Sequence, residues 1–270
     1  MNPDELKEKA KGVRRQVLEM IASAGKGHIG GAFSCTDILV VLYYGGILHL
    51  DPKIPSWEDR DRFILSKGHA CTSLYSILAD VGFFPLPELE FFAQEDSRLE
   101  GHPHRGIPGI EADTGSLGHG LGIGAGLALS AKMDKKDWLT VVLLSDGECY
   151  EGSTWEAAMF ASHHKLSNLI AIIDRNWQCS TDFTEDCLRL EPLADKWRAF
   201  GWEAREIGGH CFDHLLYAFN SLRHREISKP LAIIANTIKG KGVSFMEGKV
   251  GWHHEVPKGK ELRIARQELK

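Results

Sequence analysis

Short apolar runs that alternate with helical patterns are the feature that most constrains the fold of this chain. Several of the runs are apolar throughout and rich in valine and isoleucine, as is typical of strands buried on both faces. Helical patterns lie between them, and this βαβ succession forms a mostly parallel sheet flanked by helices. The predicted strands are Arg62–Leu65, Leu139–Leu144, Leu169–Ile173, Glu203–Ile207 and Leu231–Ala235. The sequence therefore predicts an α/β fold.

The predicted helices are marked by capping residues and by apolar spacing. The first follows Asn2, has Pro3 at its first position and ends before Gly25. A second helix is predicted to open at the capping-box pair Ser34 and Asp37 and to continue through Leu42. Further helical segments are predicted at Glu88–Asp96, Ser153–His164, Pro192–Phe200 and Phe212–Arg225.

Length, composition and charge exclude several classes of protein. At 270 residues the chain has the size of one large α/β domain, so we predict a single domain over residues 1–270. Hydrophobic residues make up 43% of the chain, which excludes global disorder. The net charge is -5 and lysine and arginine are scattered, so we expect no nucleic-acid partner.

The chain carries no sequence signal for a membrane or for secretion. No run approaches the roughly 18 apolar residues of a membrane span, and the charged amino-terminal segment is unlike a signal peptide. The six cysteines include no C-x-x-C pair, so neither a zinc site nor a disulfide framework is indicated. We therefore expect a cytoplasmic protein with reduced cysteines and no membrane partner.

Polar residues follow two predicted strands at the edge where open parallel sheets bind ligands. Asp146, Gly147 and Glu148 follow one strand, and Asn176 follows the next. If these strands are neighbours, a carboxylate and an amide oxygen meet there, and Mg²⁺ accepts so few protein ligands when a phosphate completes its shell. Gly147 would admit a phosphate to the backbone. Taken separately, each motif also fits a plain turn or strand-end cap.

A series of glycines between residues 115 and 126 allows two interpretations. A dinucleotide-binding loop would need a strand directly before it, and the preceding GIEADT is not one. A helix of small residues that packs closely on a neighbour fits better. The segment Gly115-Ser116-Leu117-Gly118 could also lay backbone groups against a ligand.

Several histidines stand in glycine-rich or proline-rich contexts that favour contact with a ligand. These residues are His28, His69, His102, His104 and His119, together with the pair His253 and His254. Imidazole can donate, accept or move protons near neutral pH. Capping or solvated histidines are an equal alternative, and a zinc site is another, although the usual zinc spacing is absent.

Taken together, these motifs resemble the thiamine-diphosphate-binding half of transketolase. The resemblance covers residues 5 to 257 in order, and in particular the chain resembles the separately encoded amino-terminal subunit of split transketolases. The matching motifs are GKGHIGG, DRDRFILSKGHA, EGHP, DTGSLGHG, LLSDGECYEGSTWEAA, IIDRN, EPLADKWRAFGWE and TIKGKGVSFMEGKVGWH. The resemblance implies the thiamine-diphosphate-binding (PP) fold.

The resemblance also implies a role for each matching residue. Asp146, Asn176 and the backbone carbonyl of Gln178 would bind Mg²⁺. The cofactor would be lined by His69, Gly115, Ser116, Leu117, Asp146, Gly147, Glu148, Asn176 and His253. The catalytic residues that orient the sugar and move protons would be His28, His69, His102 and His253.

The implied activity is transfer of a two-carbon ketol unit from a ketose or ketose phosphate to an aldose. In the family, a glutamate essential to the cofactor belongs to a following pyrimidine-binding domain. We therefore expect that domain on a partner chain, the carboxy-terminal transketolase subunit, in an α2β2 assembly. Two alternatives stay open, namely a non-catalytic regulatory subunit or a 2-oxo acid dehydrogenase-like α subunit.

Some positions depart from the family pattern near the expected substrate side. Ser145 replaces the first glycine of Gly-Asp-Gly, and Trp177 stands where split transketolases usually have glycine. His119 replaces a common glutamine, and His254 replaces a glycine. These changes favour a specialised enzyme whose sugar differs from a pentose phosphate, although neutral drift explains them equally well.

Overall fold

The computed structural model describes residues 1–224 and 228–270 and contains a five-stranded parallel sheet. Neighbouring strands pair in parallel in the order β1-β2-β3-β5-β4. The strands are β1 (Arg62–Leu65), β2 (Thr140–Ser145), β3 (Leu169–Arg175), β4 (Glu203–Gly208) and β5 (Leu231–Asn236). The predicted α/β fold is confirmed, and every predicted strand is present.

Helices cover both faces of the sheet. They are α1 (Pro3–Ala24), α2 (Ile29–Tyr44), α3 (Cys71–Val81), α4 (Gly120–Met133), α5 (Gly152–His163), α6 (Thr184–Cys187), α7 (Leu193–Ala199), α8 (Phe212–Asn220) and α9 (Gly259–Glu268). Short 3₁₀ turns lie at Gly68–Ala70, Leu86–Phe91, Gly147–Tyr150, Leu222–His224 and Val250–His253. Within the described residues, every helix is too short or too polar to cross a membrane.

The core consists of two apolar layers separated by the sheet. Alternate strand residues such as Val141 and Ile172 pack with α1, α2, α3 and α8 on one face. Their neighbours Val142 and Ile173 pack with α4, α5 and α7 on the other. This double coverage explains why β2 and β3 are apolar along their length, since neither face meets water.

The structure corrects the start of the second helix. α2 begins at Ile29, five residues before the predicted capping pair. Ser34 is fully buried, and its hydroxyl donates to Asp174 Oδ2 at 2.5 Å. Asp37 is also buried, where it accepts hydrogen bonds from Arg14. Both residues therefore make long-range contacts where local capping was predicted.

Two other helical predictions are shortened. The stretch predicted at Glu88–Asp96 is not an α-helix, and only its first residues belong to the 3₁₀ turn Leu86–Phe91. The segment predicted at Phe212–Arg225 consists of α8 and the turn Leu222–His224, and Arg225 lies outside the described residues. The first helix was predicted correctly, with a capping box between Asn2 and Glu5.

Candidate functional site

The adjacency of β2 and β3 brings the polar residues that follow them to one edge of the sheet. Ser145 pairs in register with Asp174, so Asp146 and Asn176 leave the sheet side by side. A cavity of about 230 Å³ lies at this edge. It is lined by Gly31, His69, Leu117, Ser145, Gly147, Tyr150, Glu151, Asn176, Gln178, Cys179, Ser180, Lys239 and His253.

Asp146 lies fully buried beneath the cavity, with its carboxylate held by three hydrogen bonds. Oδ1 accepts from the Gly147 amide at 2.8 Å, and Oδ2 accepts from the Trp177 amide at 2.7 Å and Arg175 Nη1 at 3.1 Å. Burial and the charge of Asp174 raise the pKa of Asp146 to about 6, against the opposing effect of Arg175. A carboxylate offers about four lone-pair sites, so one remains for a further ligand.

Asn176 and Gln178 line the cavity on either side of Trp177, whose amide binds this carboxylate. Asn176 Nδ2 donates to Asp174 Oδ2 at 3.2 Å, which fixes the amide plane. The Gln178 side-chain oxygen is buried and has no hydrogen-bond partner among the described residues. Lys239 Nζ donates to the main-chain oxygen of Cys179 at 2.7 Å and lies 3.5 Å from that of Gln178. Burial and the charge of Lys67 lower the pKa of Lys239 to about 8, against the opposing effect of Asp146.

A buried ion pair, which sequence reasoning missed, supports the site from below. Lys67 Nζ contacts Asp174 Oδ2 and donates to the main-chain oxygen of Gly31 at 2.9 Å. Neither charged side chain is exposed, and Ser34 and Thr237 also donate to Asp174. The pair connects α2 with the ends of β1, β3 and β5. The only signal in the sequence was that Lys67 and Asp174 each follow closely after the apolar run of a predicted strand.

The predicted catalytic histidines come together around the mouth of the cavity. The ring centroid of His28 lies 5.4 Å from that of His69, 6.1 Å from that of His102 and 5.4 Å from that of His253. His254 joins the same cluster, 4.7 Å from His28. These residues belong to four segments that are distant in sequence, so only the fold assembles them.

Burial keeps three of these imidazoles neutral at physiological pH. Burial and the neighbouring His254 lower the pKa of His28 to about 4, and burial and Lys239 lower the pKa of His253 to about 3. Burial and the charge of Lys67 hold the pKa of His69 well below its usual value. Neutral imidazoles can both donate and accept, which suits contact with hydroxyl groups.

Other histidines singled out in the sequence lie outside the cluster or at its rim. His119 precedes α4 and is exposed, and its Nδ1 lies 3.0 Å from the main-chain oxygen of Leu117. His104 Nε2 lies 2.8 Å from the main-chain oxygen of Arg98. Within the cluster itself, one ring nitrogen from each of His28, His253 and His254 lies within 4.8 Å of the other two.

Glu148, which we predicted to line the cofactor, lies behind the residues that line the cavity. It is fully buried, and its Oε1 accepts from Ser66 and from the Gly118 amide at 2.8 Å. Glu148 therefore positions the loop that contains the predicted residues Gly115, Ser116 and Leu117. Leu117 lines the cavity and Ser116 is exposed. A side chain at Gly115 would come within 3.1 Å of His102.

Comparison with known proteins identifies the family. The profile described as "Transketolase, thiamine diphosphate binding domain" matches residues 6–270. The chain is 44% identical to one subunit of the apulose-4-phosphate transketolase of Actinobacillus succinogenes, covering 100% of this chain and 99% of that protein. It is 41% identical to the 6-deoxy-6-sulfo-D-fructose transketolase subunit of Clostridium sp., with 93% and 90% covered.

Solved structures agree with the sequence comparison. Transketolase from Campylobacter jejuni superposes with a TM-score of 0.93 at 33% identity. Transketolase from Leishmania mexicana superposes with a TM-score of 0.90 at 27% identity. Both alignments cover all of this chain, which spans 43% and 41% of those two proteins. The protein belongs to the transketolase family and has the fold of its thiamine-diphosphate-binding domain.

Proposed function

We propose that this chain binds thiamine diphosphate with Mg²⁺ and forms half of a two-subunit transketolase. The enzyme would transfer a two-carbon ketol unit from a ketose or ketose phosphate to an aldose. The observation that carries the proposal is the meeting of a hard-oxygen donor set and a histidine cluster at one cavity. The match to a thiamine diphosphate binding domain supports the cofactor part of the proposal.

The residues at the sheet edge fit a magnesium diphosphate. Asp146, Asn176 and the main-chain carbonyl of Gln178 would hold Mg²⁺, because carboxylate, amide and carbonyl oxygens are the ligands that this ion takes. Gly147 presents a main-chain segment without a side chain to the cavity, where a phosphate would approach.

The histidine cluster would orient the sugar and move its protons. Thiamine diphosphate, when bound, supplies the electron sink for carbon–carbon bond cleavage, and the protein supplies placement and proton transfer. His69 and His253 line the cavity, while His28 and His102 lie at its mouth. Because the pKa values of His28 and His253 are low, both are neutral at physiological pH and would donate a hydrogen bond to, or accept one from, a sugar hydroxyl.

A partner chain would complete the enzyme. The relatives from Actinobacillus succinogenes and Clostridium sp. are each named as one subunit of a transketolase, which supports a second chain here. We propose that this partner carries the pyrimidine-binding domain with the glutamate that the cofactor needs, and that two copies of each chain assemble. The substrates would be sugars or sugar phosphates, and the assembly would act in the cytoplasm.

Titration of Mg²⁺ and thiamine diphosphate into the reconstituted complex tests the proposal. Asp146→Ala removes a charged ligand, and we expect it to weaken cofactor binding by about 2 kcal/mol or more. Asp195→Ala, on the exposed surface of α7, is the matched control and should bind as the unmodified protein does. Because Asp146 also holds Arg175, circular dichroism must confirm that the variant is folded. Unchanged affinity in a folded Asp146→Ala protein would remove the metal assignment.

A further inference from the structure

Two cysteines face each other in the segment that follows the candidate metal ligands, Cys179 at the start of a hairpin and Cys187 at the end of α6. The hairpin is formed by an antiparallel bridge between Gln178 and Phe183, and α6 follows it directly. The Sγ atoms of Cys179 and Cys187 are 3.3 Å apart. Cys187 is exposed and Cys179 lines the cavity, so a small reagent reaches the pair from solvent.

The other cysteines differ from this pair in their surroundings. Cys35, Cys71 and Cys149 are buried, and Cys211 is half-buried at the start of α8. A disulfide requires sulfurs about 2.05 Å apart, so the hairpin needs to close by little more than 1 Å. The segment that would be closed, residues 179–187, is short and contains only the single turn of α6.

We propose that Cys179 and Cys187 are a peroxide-reactive dithiol that closes to a disulfide and weakens binding of the magnesium diphosphate. One sulfur attacks the peroxide, the O–O bond breaks, and a sulfenic acid forms while water or an alcohol leaves. The second sulfur then attacks the first, the S–O bond breaks and water leaves. The two thiols are oxidised by two electrons and one peroxide is reduced.

The effect on the site follows from the main chain of the hairpin and rests on the function proposed above. The Cys179 carbonyl accepts from Lys239, and the carbonyl of the preceding Gln178 is the third ligand proposed for Mg²⁺. The Cys179 amide also donates to the Asp182 carbonyl at 3.0 Å. Drawing the two sulfurs together therefore moves a peptide segment that the metal site uses. Reduction of the disulfide would return this segment to its original position.

Oxidation of the reconstituted complex with hydrogen peroxide tests the inference. Peptide mapping should show Cys179 joined to Cys187, and the affinity for Mg²⁺ with thiamine diphosphate should fall by roughly tenfold and return with a reducing agent. Cys187→Ser should bind the cofactor normally and become insensitive to peroxide. Cys211→Ser, the matched control, should keep the full response.

Each alternative result is decisive. If no crosslink forms at peroxide levels that oxidise Cys187, or if the crosslinked complex binds the cofactor as tightly as the reduced one, the inference is wrong. If the reduced complex does not bind the cofactor at all, the proposed function fails instead. The mapped crosslink would then still establish or exclude the dithiol site itself.

Discussion

At the scale of a single residue, the contacts of Trp177 explain why it departs from the glycine usual in the family. Its backbone is left-handed, with φ of +68°, which favours glycine at this position. Its indole ring lies over the guanidinium of Arg175, 3.8 Å from ring centroid to Cζ. Arg175 in turn contacts Asp146. The tryptophan therefore adopts a strained backbone conformation and gains a cation–π contact with Arg175, the residue that contacts the proposed metal ligand Asp146.

Substituting Trp177 separates these two effects. Trp177→Ala loses the ring contact and keeps the left-handed strain, whereas Trp177→Gly loses both. We expect the glycine variant to be more stable than the alanine variant by about 1 kcal/mol, because only an L side chain is penalised at this φ. Urea denaturation of both variants measures the difference. Equal stability would mean that the backbone at residue 177 relaxes without cost.

At the scale of elements, a buried ion pair fastens α1 to α2. Arg14 donates to both carboxylate oxygens of Asp37, at 2.8 and 2.9 Å, and His210 contacts the same carboxylate at 2.7 Å. Burial alone would raise the pKa of Asp37, but Arg14 and His210 outweigh it and hold the pKa at about 2. The carboxylate is therefore charged in the folded protein throughout the physiological range.

Removing Arg14 should be costly because it leaves a buried charge without its partner. We expect Arg14→Ala to lower the free energy of unfolding by about 3–5 kcal/mol. Arg266→Ala, which breaks an exposed pair with Glu19, should cost less than about 1 kcal/mol. Urea denaturation at several pH values measures both costs. A loss as small as that of the surface control would show that water or His210 replaces the arginine.

The pH dependence of this pair has a defined sign. The pKa of Asp37 lies below the usual 3.8, so its stabilising effect is complete above that pH. The effect is lost as the pH falls toward about 2, where the folded carboxylate takes up a proton. Without Arg14, burial raises the pKa of Asp37 in the variant, so the difference between the unmodified protein and Arg14→Ala should be largest at high pH, begin to shrink above 3.8 and continue to shrink toward pH 2. A difference that grew as the pH fell would contradict the assignment to Asp37.

The sequence predicted elements whose signal is local and missed contacts that only the fold creates. β1 was predicted at its observed bounds because Phe63, Ile64 and Leu65 form an apolar run that is buried on both faces of the sheet. Ser34 was misread as a cap because its partner, Asp174, lies 140 residues away. The Lys67–Asp174 pair was missed for the same reason. Asp146 and Asn176 were paired correctly since consecutive strands of a parallel succession are often neighbours.

At the scale of the whole molecule, one side of the sheet carries a surface suited to a second chain. On α4, Gly122 and Gly126 face open space, and Ile123 beside them is 39% exposed. On the neighbouring α5, Met159 and Phe160 are also exposed. Small residues allow close approach of another backbone, and exposed apolar residues mark interaction surfaces. We therefore expect the partner subunit, or a second copy of this chain, to pack here.

Assembly should depend on this surface and activity should depend on assembly. Mixed with a ketose donor, an aldose acceptor, Mg²⁺ and thiamine diphosphate, the chain alone should show no turnover, because the glutamate that the cofactor needs is expected on the partner. Activity should appear when the partner subunit is added, and sedimentation should then report two copies of each chain. Ile123→Glu should block both assembly and activity, because a charged side chain in a packed interface loses its contact with water.

The control for this last prediction lies on the opposite layer. Tyr217 on α8 is 84% exposed, and Tyr217→Glu should assemble and turn over as the unmodified chain does. Robust turnover by the chain alone would show that it supplies every catalytic group itself, and the two-subunit proposal would then be wrong. Normal assembly of Ile123→Glu with full activity would place the interface elsewhere and leave the α4 surface free. Loss of activity with assembly intact would instead point to α4 positioning the adjoining Leu117 loop.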